Sequence, residues 1–255
     1  MNRCIALLTD FGTTDWFTAS MKGVILSANP GAVIADITHE IPEGDIQSAA
    51  FCLLSCFPCF PKETIFTVVV DPGVGGNRAA IAVQAGGYFF VGPDNGALSA
   101  AADNFDDIAI RLIENPLCMR SPVSSTFHGR DIFAPTAAKL SLGFPFEDVG
   151  PCRGDMVRHA MPVAEKEGNT IVGTVLYADR FGNVITNIPP SLVLHRAMAL
   201  RVGDNTIPVC SCYGDVGEGE LLAVAGSCGF IEFSVNRGSA AQRLGLKAGD
   251  TVFVD

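Results

Sequence analysis

The sequence predicts an α/β N-terminal domain with a mostly parallel central sheet flanked by helices, followed by a smaller, mainly antiparallel β-barrel domain. In the first half of the chain, short apolar runs alternate with apolar residues at helical spacing, which is typical of crossover units. Beyond residue 168, short strands follow one another with turn residues between them. We therefore predict an N-terminal domain over 1–157, a linker over 158–168 and a C-terminal domain over 169–255.

Composition narrows the class of protein further. The chain has 255 residues, of which 48% are hydrophobic, and this is enough to bury a sizeable core in each domain. Its net charge of −10 argues against a nucleic-acid partner, because phosphate binding requires clustered Lys and Arg. The apolar start is too short for a signal peptide, and residues 49–60 are too short to span a membrane. We expect a cytoplasmic protein whose nine cysteines are free packing residues.

The first predicted unit is a strand over 4–8, a loop and a helix. Thr13, Thr14 or Asp15 is placed to cap that helix, and Asn29-Pro30-Gly31 ends it. A second strand over 32–36 leads to a helix that Asp45 is placed to cap.

The third predicted strand organises the domain. Residues 64–70 are rich in β-branched and aromatic side chains and stop at Asp71-Pro72-Gly73, after which the loop delivers Arg78. Ligands of open α/β sheets bind beyond the carboxyl ends of strands, so this loop is a candidate site. The alternative is that Asp71 only forms a turn.

Three predicted strand ends carry a carboxylate. A hairpin over 79–83 and 88–91 ends near Asp94, as the first strand ends near Asp10 and the third at Asp71. Together they suggest a polar pocket, although each could be a turn residue. After a strand over 107–113, His128 lies at the entrance of a helix, where the helix dipole favours its neutral form.

The C-terminal residues are predicted to form a small, mainly antiparallel β domain, either a barrel or a sandwich. A hairpin over 170–177 and 184–188 encloses a five-residue loop over 179–183, and a short helix is expected over 239–244. Further strands are expected over 200–202, 206–210, 221–225, 230–235 and 251–254.

Common cofactor and hydrolase motifs are not found in the sequence. DPGVGGNR lacks the third glycine of GxGxxG and the GK[ST] ending of a P-loop, and no GxSxG occurs. The candidate acidic residues and His128 do not follow a recognisable metal-ligand spacing. We predict no metal and no cofactor.

Eight segments in order carry a family resemblance. They are LLTDFG with MKGVI, DITHEI, VVVDPGVGGNR, GPDNG, TFHGRD, ADRFGNVITNI, IEFSVNRGSA and LGLKAGD. Over nearly the whole chain the sequence resembles the S-adenosyl-L-methionine (SAM) hydrolase, or SAM hydroxide adenosyltransferase, family, which is related to fluorinases and chlorinases. The resemblance implies hydrolysis of SAM to adenosine and L-methionine by water attacking the ribose C5′.

The resemblance also implies roles for particular residues. Asp71, Arg78 and His128 match the residues that assist the attacking water. Asp10 matches the carboxylate that receives the two ribose hydroxyls. The remaining substrate contacts would be Asp15 and Asp179 near the methionine amino group, Ser227 near the methionine end, and Phe181 and Asn183 at adenine.

Two alternatives to a hydrolase remain at this stage. A halogenase of the related branch replaces the Asp of the DPG loop and the His of TFHGRD, whereas Asp71 and His128 are both present here. A noncatalytic protein that binds adenosine or SAM would need no water-activating groups. The resemblance further implies a homotrimer in which each site lies between the N-terminal domain of one subunit and the C-terminal domain of its neighbour.

Overall fold

The computed structural model describes residues 3–193 and 198–255. Contacts within the chain divide it into two compact units, Met1–Ala160 and Met161–Asp255. Among the described residues, every helix is too short or too polar to cross a membrane.

Unit 1 alternates strands and helices along its first half, as expected. Its strands are β1 (Cys4–Thr9), β2 (Val33–Thr38), β3 (Ile65–Val69), β4 (Ala80–Ala85), β5 (Tyr88–Pro93), β6 (Ala109–Leu112) and β7 (Cys152–Arg153). Its helices are α1 (Phe17–Ala28), α2 (Ile46–Cys56), α3 (Ser99–Ala102) and α4 (Ala134–Ser141), the last preceded by a π-helical turn over Gly129–Phe133.

The central sheet is mixed. Its strand order is β2-β1-β3-β5-β4-β6-β7. The β1–β2, β1–β3 and β3–β5 pairs are parallel, whereas β4–β5, β4–β6 and β6–β7 are antiparallel. The prediction of a mostly parallel sheet is therefore wrong, because the β4–β5 hairpin reverses the chain and the later strands add to its free edge.

Both faces of this sheet are covered, which explains the apolar character of β1. Ile5 and Leu7 pack into one core with α1 and α4. Ala6 and Leu8 pack into a second core with α2 and α3. A strand that is buried on both faces has no solvent-exposed side, so polar and apolar residues do not alternate along it.

The two predicted helix starts have different outcomes. Asp45 caps α2 as predicted, since its carboxylate accepts a hydrogen bond from Ser48 N at 2.9 Å. The predicted cap of α1 is wrong, because the N-cap is Trp16 and makes no side-chain bond. The Thr18 hydroxyl instead donates to Gly12 O at 3.2 Å, tying the first turn to the preceding loop.

Unit 2 is mainly antiparallel. Its strands are β8 (Glu165–Glu167), β9 (Thr170–Ala178), β10 (Val184–Thr186), β11 (Ala199–Val202), β12 (Asn205–Pro208), β13 (Leu221–Ala225), β14 (Ile231–Val235) and β15 (Thr251–Val254). A short helix, α5 (Ala240–Leu244), begins at its Ser239 cap and ends at Gly245 in the left-handed region.

The larger sheet of unit 2 is curled, but the strands over 161–193 and 198–255 do not form a closed barrel. Its order is β13-β14-β10-β9-β15, with β8 also pairing with β9, while β11 and β12 form a separate ladder. Among the described residues, that ladder touches the larger sheet through local contacts, such as Cys210 N to Ala223 O at 2.9 Å. The prediction of a mainly antiparallel β domain is therefore confirmed and that of a closed barrel is not, because the number of strands does not specify closure. The charged run 165–167, expected to be linker, pairs with β9 instead.

Candidate active site

The sheet of unit 1 brings two of the predicted carboxylates together. β1 and β3 are adjacent and parallel, with Thr9 opposite Val69. Asp10 and Asp71 follow these strands at the same edge of the sheet, and burial, together with the nearby carboxylates of Glu43 and Asp71, raises the pKa of Asp10. Both side chains line one cleft of about 660 Å³.

A glycine fixes the loop that runs from Asp71 to Arg78. Gly75 has a φ of +74°, and a Cβ there would lie 2.1 Å from Ser125 O. This close approach, which only glycine allows, packs the loop against the segment that precedes His128. Residues far apart in the sequence are thereby brought to one side of the cleft.

Asp71, Arg78 and His128 form one hydrogen-bonded cluster. Arg78 Nε donates to both carboxylate oxygens of Asp71 at 3.0 Å, and its Nη2 donates to Asp71 Oδ2. The same Nη2 lies 2.6 Å from His128 Nδ1. The side chains of Asp71 and Arg78 are only 5% and 11% exposed, so the pair is largely shielded from bulk solvent while Asp71 still lines the cleft.

The cluster sets the tautomer of His128. A guanidinium only donates, so Nδ1 must accept from Arg78, which leaves the ring proton on Nε2. Burial and the positive charge of Arg78 lower the pKa of His128, and both favour the neutral imidazole. The predicted neutral form is thus supported by these causes. The π-helical turn begins directly after His128, at Gly129.

Asp10 and Asp15 occupy different positions in the cleft. Asp10 is half-buried and accepts a hydrogen bond from Gly44 N at 2.9 Å through Oδ2. Burial raises its pKa, and the Glu43 and Asp71 carboxylates raise it further. Asp15 lines the cleft but is exposed. The apolar part of the lining includes Phe11, Phe17 and Phe127.

Asp94 makes structural contacts. It is 5% exposed, forms an ion pair with Arg153 at 2.9 Å and accepts a hydrogen bond from Val157 N at 2.7 Å. It does not line the cleft that contains Asp10 and Asp71. Asp94 follows β5, which ends at the same edge of the sheet as β3. Its carboxylate oxygens, however, hold β7 and the segment after it.

Unit 2 has a cleft of its own, of about 760 Å³. The four predicted residues of this unit all line it: Asp179, Phe181, Asn183 and Ser227. The Phe181 ring is 77% exposed, so a flat apolar face is available to a ligand.

The loop between β9 and β10 is fixed by its own hydrogen bonds. Asp179 Oδ1 accepts from the backbone N–H groups of Phe181 and Asn183, and Oδ2 accepts from Asn183 Nδ2, all at 2.9 Å. The five-residue loop predicted over 179–183 is therefore present, and Asp179 closes it. Asp179 also fixes the backbone that bears Phe181 and orients the Asn183 amide.

Two further residues of this cleft were missed by the sequence analysis. Tyr213 donates from its hydroxyl to Glu232 Oε1 at 2.8 Å, and both side chains line the cleft. Burial and the bond to Glu232 raise the pKa of Tyr213 to about 12. A charged residue inside the apolar strand β14 was the available signal, whereas nothing local to Tyr213 marks it.

Metal ligation finds no support in the side-chain arrangement. Over residues 3–193 and 198–255, no three His, Cys, Asp or Glu side chains cluster so as to hold an ion.

Family models match both units. The model described as the SAM hydroxide adenosyltransferase N-terminal domain matches residues 5–150, and the model of the corresponding C-terminal domain matches residues 173–253.

Individual proteins match over nearly the full length. Proteins named (R)-S-adenosyl-L-methionine hydrolase from Thermus thermophilus and Salinispora tropica are each 39% identical, covering 97% and 98% of this chain and 97% of their own. A fluorinase from an Actinoplanes species is 26% identical over 99% of this chain and 97% of its own. A crystal structure of an uncharacterized conserved protein from Thermotoga maritima has a TM-score of 0.92 at 40% identity, covering 98% of this chain and 99% of that one.

Proposed function

The chain belongs to the SAM hydroxide adenosyltransferase family, and we propose that it hydrolyses SAM to adenosine and L-methionine by attack of water on the ribose C5′. The observation that carries the proposal is the hydrogen-bonded cluster of Asp71, Arg78 and His128, in which Asp71 and His128 line the cleft of unit 1 and Arg78 joins them.

The cluster suits a reaction whose difficulty lies in the nucleophile. The sulfonium leaves as a neutral thioether, so the leaving group needs no general acid. Water is a weak nucleophile, and it gains from a base, from stabilisation of its developing charge and from a fixed position in line with the C–S bond.

The hydrogen bonds suggest how the three residues divide this work. His128 Nδ1 accepts from Arg78, so His128 can only donate to the water through Nε2–H. Asp71 is an acceptor and is held by Arg78 through both of its oxygens. Asp71 therefore takes the hydrogen bond, and then the proton, of the attacking water. Arg78 orients Asp71 and His128, and its positive charge offsets the negative charge that develops on the attacking oxygen.

The remaining predicted residues are assigned to substrate contacts. Asp10 receives the ribose hydroxyls through the oxygen that does not bind Gly44. Asp15 and Asp179 lie near the methionine amino group, and Ser227 lies near the methionine end. Phe181 stacks on adenine, and Asn183 reads its edge; the exposed ring and the fixed loop support both roles.

A homotrimer with shared sites is part of the same proposal. Each unit carries its own cleft, and substrate contacts are assigned to both. Mixing a His128→Ala variant with an Asn183→Ala variant tests this after dissociation and reassembly. Recovery of activity in mixed oligomers supports sites shared between subunits, and a monomeric mass in light scattering contradicts them. A cytoplasmic location is also part of the proposal, and it is supported by cysteines that form no disulfide among the described residues.

Product analysis separates hydrolysis from its alternatives. Purified protein is incubated with SAM, with and without added chloride, and the products are resolved by chromatography and mass spectrometry. We expect adenosine and L-methionine in equal amounts, with the yield unaffected by chloride. A 5′-halogenated product would indicate a halogenase, and binding without turnover would indicate a noncatalytic binder. Asp71→Asn serves as the control that retains the shape of the site.

A further inference from the structure

Glu232 is a carboxylate that the proposed chemistry does not use. It is the second residue of β14, where it is 7% exposed, and it faces the cleft of unit 2. Its neighbours along the strand, Ile231 and Phe233, point into the apolar core of that unit. The strand thus places one buried acid against the space that a ligand would fill.

The two oxygens of Glu232 have different surroundings. Oε1 accepts hydrogen bonds from Tyr213 Oη and Ser234 Oγ, both at 2.8 Å. Oε2 accepts no hydrogen bond from any residue that the structure describes. It lies against the turn that carries Ser227, because a Cβ on Gly226 would be 3.2 Å away from it. Two donors fix the side chain, and one oxygen is left available.

Among the described residues, no positively charged side chain is paired with the carboxylate of Glu232. The other carboxylate of the cleft, Asp179, accepts hydrogen bonds within its own loop. Arg237, which also lines the cleft, pairs with Glu218 at 3.2 Å. Oε2 is not one of the fully buried unpartnered atoms, so it is open to the cleft. A ligand that displaces water from the cleft must supply an N–H to this oxygen, because an acceptor left without a donor is costly.

We propose that Glu232 Oε2 accepts a hydrogen bond from an N–H group of the ligand and so makes this cleft selective for an amine. The inference rests on the proposed function, because that function defines the ligand. SAM offers two such groups, the exocyclic amine of adenine and the ammonium of methionine. Tyr213 and Ser234 are positioning residues that hold the acceptor in place.

Binding of product analogues tests the inference without requiring turnover. Adenosine is compared with inosine, which replaces the amine by a carbonyl oxygen, and L-methionine is compared with 4-(methylthio)butanoate, which lacks the ammonium. Affinities are measured by calorimetry on the wild-type protein and on Glu232→Gln. Glu165→Gln is the control, because Glu165 is exposed on β8 of the same unit.

The two sources of the N–H give different results. If the adenine amine is bound, wild type prefers adenosine over inosine by about 10- to 100-fold, and Glu232→Gln loses or reverses this preference because its amide presents a donor. If the ammonium is bound, the methionine pair shows that pattern instead. In either case Glu165→Gln matches wild type.

The inference is overturned if wild type discriminates within neither pair, or if Glu232→Gln retains the full preference. If Glu232→Gln does not fold, Glu232→Asp replaces it, because the shorter side chain withdraws the oxygen and should also weaken the preference. Hydrolysis of SAM by wild type is measured in parallel. Its absence would refute the proposed function, whereas hydrolysis with an unchanged preference in Glu232→Gln would refute this inference alone.

Discussion

Replacing Arg78 by lysine tests whether the geometry of the cluster is needed. Lysine retains the positive charge but cannot donate in a fixed fork. Arg78 engages both oxygens of Asp71 and also lies 2.6 Å from His128 Nδ1. A single ammonium cannot reproduce all of these contacts, so at least one charge-assisted hydrogen bond is lost.

The size of the effect follows from that bond. A hydrogen bond to a charged group contributes about 1.5–3 kcal/mol. If the bond orients the groups that act on water, its loss raises the barrier by that amount, and kcat falls by about 10- to 150-fold. KM should change little, because Arg78 is not assigned to substrate binding.

The assay is the rate of adenosine formation over a range of SAM concentrations. Arg130→Lys is the matched control, because Arg130 forms a similar fork with Asp131, at 2.7 and 2.8 Å, and among the described residues makes no hydrogen bond to Asp71 or His128. Its kcat should stay close to that of wild type. A wild-type kcat in Arg78→Lys would refute the role given to the fork, and an equal loss in both variants would indicate a general effect on the fold.

Three further predictions follow from the same structure. Because burial and Arg78 lower the pKa of His128 below its usual 6.5, kcat should stay level as pH falls to that value and decline only at more acidic pH; a decline already above it would contradict the assignment. Asp94→Asn should lower the free energy of unfolding by about 1.5–3 kcal/mol in denaturant titrations and leave kcat unchanged, and a large loss of kcat would place Asp94 in the active site. Gly75→Ala should reduce both stability and kcat, because its Cβ would meet Ser125 O at 2.1 Å; wild-type values for both would show that the loop tolerates displacement.

Local signals in the sequence predicted most elements of unit 1. Asp45 was recognisable as a cap because its hydrogen-bond partner, Ser48, lies three residues away. The direction of the later strands was not recognisable, since it depends on which edge of the sheet they join. Closure of the curled sheet in unit 2 depends in the same way on contacts between distant strands.

The candidate site likewise combines residues that local sequence marks with residues that only distant contacts bring together. Asp71 and Arg78 were candidates because one glycine-rich loop follows a buried strand, and His128 was a candidate because it precedes a helical segment. Their shared role was implied by the family resemblance and stays a prediction. Tyr213 and Glu232 meet across 19 residues of chain, through a side-chain bond that no local spacing reports. Asp94 was recognised as a strand end, but its partner Arg153 was not predictable from the turn sequence.

The origin of the new oxygen atom tests the central claim most directly. The protein is incubated with SAM in ¹⁸O-labelled water without added halide, and the adenosine is analysed by mass spectrometry. Attack of water on C5′ predicts one ¹⁸O atom at the 5′ position of adenosine, together with unlabelled L-methionine. Adenosine without the label, or SAM that is bound and returned intact, would contradict the account.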